Sequence, residues 1–365
     1  MQTDHEVHVA DARTLPLADD SVDLVVTSPP YPMIEMWDDL FCALNPTVEE
    51  ALADADGERA FDLMHEALDA VWGELARVLA PGGVACVNVG DATRTLEEFA
   101  LYPNGAELAG RLRDQGLTQL PGIRWRKPTN SGTKFMGSGM LPPNAYPTLE
   151  HEQILLFRNG GPRTLEPKAD DRYEAAYFWE ERNQWFSDLW TFTGTDQRLS
   201  EQARERSAAY PLELPLRLIR MFSTYGDRVF DPFWGTGTTA LAAMVAGRDS
   251  VGVELDAGLV DAFVDRLADL PERTRERATD RLERHAAFAA DHETNYEAEH
   301  YDFGVVTKQE RRVRLYAVDG VTEADGGVTT DPVVGATEGG VTDAGAAEGT
   351  AATRRWTCEH SPVEF

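Results

Sequence analysis

The run from Val229 to Ala240, VFDPFWGTGTTA, admits few folds. It reads as a strand, a Gly-rich turn and the start of a helix, with Gly235, Gly237 and Ala240 at G-x-G-x-x-A spacing. Glycine permits the tight turn and close approach of a ligand to the backbone, and the small third residue lets helix and strand pack closely. The next apolar run, Ser250 to Leu255, carries Glu254 nineteen positions after Gly235. A carboxylate placed there can accept hydrogen bonds from both hydroxyls of a ribose. Loop and acid together predict a nucleoside cofactor, either a dinucleotide or S-adenosylmethionine.

The rest of the chain alternates strands and helices around this unit. Strands are expected at Val7–Ala10, Val22–Thr27, Val84–Val89, Ile123–Trp125, Glu152–Phe157 and Arg228–Asp231. Apolar residues recur at helical spacing from Glu58 to Leu79, and helices are expected at Ala106–Gln115, Leu212–Tyr225 and Thr238–Ala246. This is the pattern of an α/β fold, a mostly parallel twisted sheet with helices on both faces. From Asn159 to about Ser207 the alternation breaks down into aromatics and arginines, read as an insertion. The expected organisation is therefore residues 1–158, an insertion at 159–207, the cofactor-loop half at 208–300, and a tail at 301–365. Beyond Asp319 the tail is rich in Gly, Thr, Asp, Glu and Ala and is expected to be disordered. The closing RRWTCEHSPVEF has no reading.

Asp and Glu number 63 against 34 Lys and Arg, a net charge of −29. Such a surface repels polyanions at long range, yet at molar salt the Debye length is about 3 Å and the repulsion vanishes. The acidity reads as adaptation to a salt-rich, halophile-type cytoplasm. No apolar run is long enough to span a membrane and the N-terminus is polar, so a cytoplasmic protein is expected. Cys42, Cys86 and Cys358 form no C-x-x-C pair, so neither a disulfide framework nor a metal site is expected.

The strand Val22–Thr27 runs straight into Ser28-Pro29-Pro30-Tyr31. Open α/β sheets bind ligands at this carboxyl edge. Two successive prolines fix the backbone and have no N–H to compete for their carbonyls. An aromatic amine is a poor nucleophile because its lone pair is delocalised. Acceptors on both its N–H groups, here Ser28 Oγ and a proline carbonyl, would draw the nitrogen towards tetrahedral geometry, and Tyr31 would stack on a base extruded from a duplex. Ring-carbon methylation of cytosine needs a nucleophilic cysteine in a Pro-Cys pair. The residues before the cysteines are Phe41, Ala85 and Thr357, so that chemistry has no candidate.

In combination these motifs resemble the β-group amino-methyltransferases of DNA, a circularly permuted family in which the S/D-P-P-Y half precedes the F-x-G-x-G half. Arg77-Val78-Leu79-x-Pro81-Gly82-Gly83, Trp125-x-Lys127-Pro128, Thr148-x-x-His151-Glu152-x-Ile154 and Ala209-Tyr210-Pro211-x-x-Leu214 are further family-like pieces. The resemblance implies a Rossmann-like methyltransferase fold with S-adenosylmethionine as cofactor and no metal. Asp231, Phe233, Gly235, Gly237, Thr238 and Glu254 would bind it, with Phe233 to Thr238 around the methionine. Asp11 would join them near the target-base pocket, and the insertion would occupy the place of the target-recognition region. Serine in S-P-P-Y implies N4-cytosine chemistry in duplex DNA, and the stretch VVTSPPYPMIEMWDDLF resembles halophilic-archaeal enzymes associated with CTAG. An N6-adenine DNA enzyme and an RNA or protein amino-methyltransferase are the alternatives. A cognate restriction enzyme, or none, would accompany it.

Residues 111–134 hold Arg111, Arg113, Arg124, Arg126, Lys127 and Lys134 against the single acid Asp114. Arg124, Arg126, Lys127 and Lys134 are the expected phosphate contacts.

Overall fold

The computed structural model describes residues 1–127, 136–138, 140–192, 210–324 and 352–365. Lys134, Pro128 and residues 193–209 and 325–351 lie outside the described residues. Ten strands form one sheet. In chain order they are β1 (Gln2–Val9), β2 (Val22–Thr27), β3 (Leu79–Val89), β4 (Thr118–Arg126), β5 (His151–Arg158), β6 (Leu189–Thr191), β7 (Arg228–Asp231), β8 (Asp249–Glu254), β9 (Tyr316–Glu323) and β10 (Thr353–Pro362). Across the sheet the order is β6-β4-β5-β3-β2-β7-β8-β1-β10-β9. Only β5 and β10 run against the others.

Both faces of β2 are covered, so it is a nearly continuous apolar run rather than an alternating one. In β2, Val22 and Val25 enter one core with α1 (Asp38–Leu44), α2 (Thr47–Ala53), α3 (Gly57–Glu66), α4 (Asp69–Val78) and α5 (Asn104–Asp114). Leu24 and Val26 enter the other, with α8 (Glu213–Phe222), α9 (Thr238–Ala246) and α10 (Ala257–Phe263). The short α6 (Asp170–Glu174) and α7 (Trp179–Trp185) lie in the insertion, and α11 (Leu270–Asp291) follows α10. Every residue of α9 is buried, as its unbroken apolar sequence requires. The expected long helix at 58–79 is two helices, α3 and α4, broken at Ala67–Leu68. Among the described residues no helix is long and apolar enough to cross a membrane.

Two expectations need correction. Residues 301–324 and 352–365 are not a tail. β10 lies against β1 and carries β9 on its far side. Trp356, Cys358 and His360 face inwards while Arg355 and Glu359 face out. Thr3 Oγ1 bridges His5 and His360, at 2.9 Å from each, and His5 also meets Ser250 Oγ at 2.8 Å. Tyr301, Phe303, Val313 and Leu315 form a third core with Phe178 and with Ala278 and Leu282 of α11, so a boundary at residue 300 cuts through packed structure.

Within the insertion, residues 163–186 are tied to the rest of the chain by ion pairs on buried carboxylates. Arg163 pairs with Asp227 at 2.8 Å through both terminal nitrogens, and Asp227 immediately precedes β7. Glu181 of α7 is locked to Arg281 of α11. This segment therefore sits at the amino-terminal edge and outer face of the sheet. From Leu189 the chain runs parallel to β4 towards the carboxyl edge.

Candidate active site

The five central parallel strands β3, β2, β7, β8 and β1 end in the order Val89, Thr27, Asp231, Glu254 and Val9. The connections reverse direction between β2 and β7, since β2 leads to β3 on one side and β7 to β8 on the other. Such a switch point leaves a crevice at the carboxyl edge. A cavity of about 420 Å³ occupies it, lined by Ser28, Pro29 and Pro30 after β2, residues 231–236 and Thr238 after β7, Glu254 after β8, and Asp11 after β1. Trp37, Leu68, Val71 and Tyr210 make much of its apolar wall.

The loop after β7 takes the shape its glycines allow. Gly235 and Gly237 have φ of 55° and 73°, in the left-handed region. A Cβ on Gly237 would lie 2.5 Å from the Phe263 ring. Trp234 N–H donates to the Val253 carbonyl at 3.0 Å, tying the loop to β8. Arg266 donates to Thr236 O at 2.5 Å and Thr238 Oγ1 at 3.2 Å. Burial lowers its pKa to about 10, helped by the neighbouring Arg273 charge, so it remains a cation at neutral pH.

Among the described residues, two carboxylates face the cavity without a cation, Asp231 buried and Glu254 half-buried. Asp231 accepts from Thr27 Oγ1 at 2.6 Å, Thr239 Oγ1 at 2.7 Å and Phe233 N–H at 3.1 Å. Tyr210 OH bonds to Thr239 Oγ1. Burial nevertheless raises the Asp231 pKa to about 6 against these hydrogen bonds. Asp231 thus joins the strand of the Ser28 motif to the strand of the glycine loop. Glu254 accepts Gly235 N–H at 2.7 Å on one oxygen and Asp256 N–H at 2.9 Å on the other, leaving lone pairs on both. Burial raises its pKa too, opposed by those backbone donors. Asp11 differs. Burial raises its pKa, but hydrogen bonds from Arg13 outweigh this and leave it lowered. Phe233 packs edge-on against Trp72 with ring centroids 5.8 Å apart.

Ser28 Oγ lies 2.9 Å from Tyr31 OH. That hydroxyl donates to Glu152 Oε2 at 3.2 Å and accepts from Asn88 Nδ2 at 2.9 Å, while Asn88 Nδ2 also bonds to Glu152 at 2.6 Å. Lys127 pairs with the other Glu152 oxygen. Burial and then the Glu152 charge hold the Tyr31 pKa well above its usual value, so the phenol stays protonated. With its one hydrogen on Glu152, Tyr31 accepts the Ser28 hydrogen, and Ser28 Oγ faces the cavity as an acceptor. The Tyr31 ring lies against Gly90, where a Cβ would sit 3.1 Å from it.

The basic run divides. Arg111 of α5 is paired with Asp69 and Glu107, and Arg113 with Gln119, near the start of β4. At about 3.3 Å per residue the nine-residue β4 carries Arg124, Arg126 and Lys127 some 20–30 Å away, towards the carboxyl edge. Arg124 meets His151 at 2.9 Å and Arg126 meets Glu150 at 3.0 Å, both outside the buried core. The motifs had marked Ser28, Asp231 and Glu254. The partners Thr27, Asn88, Thr239 and Arg266 carried no local signal, whereas Tyr210 and Glu152 stood in family-like pieces without a stated contact.

The cavity fits S-adenosylmethionine on its own chemistry. Two carboxylates without a cation suit a ligand bearing sulfonium and ammonium charges and two ribose hydroxyls, and apolar walls suit its adenine. A DNA methylase family model for N6/N4 enzymes matches residues 22–265. The chain is 51% identical over 323 residues to the Type II methyltransferase M.MthZI of Methanothermobacter thermautotrophicus, covering 87% of this chain and 91% of that one. It is 47% identical over 270 residues to M.MjaI of Methanocaldococcus jannaschii, covering 70% and 89%. A Thermus thermophilus protein described as a putative DNA modification methylase, solved with S-adenosyl-L-methionine, matches at a TM-score of 0.56 and 31% identity, over 72% of this chain and 92% of that one. The cytosine-N4-specific PvuII DNA methyltransferase shares the fold at a TM-score of 0.50 and 17% identity, over 73% and 87%. S-Adenosyl-L-methionine is thus the cofactor, and the chain belongs to the N6/N4 DNA methylase family of methyltransferases.

Proposed function

We propose that this enzyme methylates the exocyclic N4 amine of cytosine in duplex DNA, within CTAG, after extruding the base from the helix. The observation that carries the reading is Ser28 at the cavity wall, with its own hydrogen engaged by Tyr31 and its lone pairs free. The cofactor supplies an electrophilic methyl group on a sulfonium. Glu254 would take the ribose hydroxyls, and Asp231 with the loop Phe233–Thr238 the charged methionine end. Ser28 Oγ and the Pro29 carbonyl accept the two amine hydrogens, which draws the nitrogen lone pair out of conjugation. A neutral hydroxyl suits the weakly acidic cytosine amine, as the serine form of the motif suggests.

The Ser28–Tyr31–Glu152 chain also offers a path for the proton that the methylated amine loses. As that proton moves to Ser28 Oγ, the Ser28 proton passes to Tyr31 and the Tyr31 proton to Glu152, whose charge Lys127 balances. Tyr31 would present its ring to the flipped base.

Strand order supports the circular permutation. β2 and β3, carrying the catalytic half, precede β7 and β8 in sequence yet lie beside them in the sheet. Arg124, Arg126 and Lys127 would form the phosphate-contacting edge; Lys134, also expected there, lies outside the described residues. Exposed Met140 and Leu141 lie between Lys127 and β5, whose first residue His151 contacts Arg124. The Type II names of both curated relatives suggest a restriction-modification setting. The net charge of −29 fits a salt-rich cytoplasm, where counterion-release affinity is small and base contacts carry more of the binding.

Purified protein with labelled S-adenosylmethionine in molar potassium chloride, on duplexes with and without CTAG, tests both parts. Label in N4-methylcytosine from the CTAG duplex alone is expected. Label in N6-methyladenine would overturn the base, and equal labelling of both duplexes would overturn the site.

A further inference from the structure

Away from the active site, three guanidinium groups converge. Arg220 of α8, Arg248 just before β8 and Arg281 of α11 line one small cavity of about 20 Å³, together with Tyr225, Thr274 and Tyr316. Arg248 is 2% exposed and Arg281 5%. Arg281 holds Glu181 through two nitrogens, at 2.5 and 2.7 Å. Arg248 meets neutral acceptors only: Ser223 Oγ at 3.0 Å, the Ser223 carbonyl at 2.9 Å and the Ala246 carbonyl. Arg220 makes no hydrogen bond or ion pair among the described residues. The other acid near it, Glu213, is engaged by Arg217 at 2.7 Å.

Three positive charges therefore share one cavity with a single directly bonded carboxylate. Unbalanced charge in a protein interior is costly unless a counter-charge accompanies it. The volume decides what that counter-charge can be. A water-sized particle needs roughly 10–15 Å³ of such space, so this cavity takes one monoatomic ion and excludes phosphate, sulfate or a carboxylate ligand. A cleft of about 720 Å³ also has the half-buried Arg220 in its wall.

We propose that this cavity is a halide site, in which one chloride ion sits among Arg220, Arg248 and Arg281 and locks α11 to α8 and β8. The anion supplies the charge that Arg220 lacks. It also opposes the two effects, burial and the Arg281 charge, that otherwise lower the Arg220 pKa to about 9.

Thermal unfolding of the full chain at constant potassium concentration, with glutamate exchanged stepwise for chloride, tests the site. A saturable rise in Tm with chloride is expected, absent in a folded Arg220→Met variant. The same saturable rise in that variant, or a purely linear chloride dependence in both proteins, would overturn the proposal. Crystals of the unmodified chain grown in bromide give a second reading that needs no variant. An anomalous peak between the three guanidinium groups is expected, and a difference map with water there and no anomalous signal would overturn it.

Discussion

At the carboxyl edge of the sheet, Asp231 is buried and Glu254 half-buried among hydroxyls and backbone N–H groups, and among the described residues no cation touches them. At the amino-terminal edge and the outer helix, Asp227 and Glu181 are buried like Asp231, yet each is clasped by an arginine through two nitrogens. Both arrangements satisfy the hydrogen-bonding capacity of the carboxylate. Only the second neutralises its charge. Neutral donors leave a carboxylate able to recruit a positively charged ligand, at the cost of a raised pKa. Arginine donors make it a staple between distant segments, Glu181 to Arg281 across 100 residues and Arg163 to Asp227 across 64. The sheet therefore keeps its unbalanced negative charge at the cavity proposed to hold the cofactor.

If that division is right, substitutions at the two edges should fail differently. The largest effect is expected from Glu181→Leu, which strands Arg281 in the interior. Loss of one partner of a buried pair costs about 3–5 kcal/mol. Denaturant unfolding should show that loss, while calorimetry on the surviving folded fraction should show little change in S-adenosylmethionine affinity.

Asp231 should reveal itself through pH. Its folded pKa of about 6 lies above the ordinary 3.8, so the folded state binds the proton more tightly than the unfolded one. Its contribution is greatest below pH about 4, falls as pH rises to about 6 and is flat above, a span of order 3 kcal/mol. Asp231→Asn should remove that slope from the difference between the two unfolding curves. Parallel curves for both proteins from pH 4 to 6 would show that its charge is compensated after all.

Glu254→Ala is expected to have the smaller effect of about 1–3 kcal/mol, read as roughly 5- to 150-fold weaker cofactor binding. Stability should barely move, because the residue's protein partners are two backbone N–H groups at a solvent-accessible cavity. A large stability loss with unchanged affinity would assign Glu254 to the staples.

What the sequence made legible follows from range. VFDPFWGTGTTA and the strand before Ser28 declare themselves within a dozen residues, because glycine φ values and proline backbone restriction are local requirements. Glu254 was within reach because one helix and one strand have predictable length. Tyr31 to Glu152 was not, since a contact across 121 positions depends on β5 lying beside β3. The C-terminal strand was misread for a different reason. Trp356-Thr357-Cys358-Glu359-His360 alternates with period two, but its inward face includes a histidine bonded to Thr3, and a buried polar residue gives no hydrophobic signal. The basic run at 111–134 was read as one phosphate-contacting feature, whereas Arg111 pairs with Asp69 and Glu107 and Arg126 with Glu150. Composition cannot tell an arginine that meets phosphate from one that meets a carboxylate.

In the proposed function, Ser28 does chemistry in a cavity whose cofactor affinity is set elsewhere. Single-turnover methyl transfer and S-adenosylmethionine binding, measured on one preparation of Ser28→Ala, test it most directly. Transfer slower by about 10²–10³-fold is expected, the scale for losing one well-placed polar group at a reacting centre, with the cofactor Kd unchanged. Near-normal transfer, or a Kd that weakens in step with the rate, would contradict it.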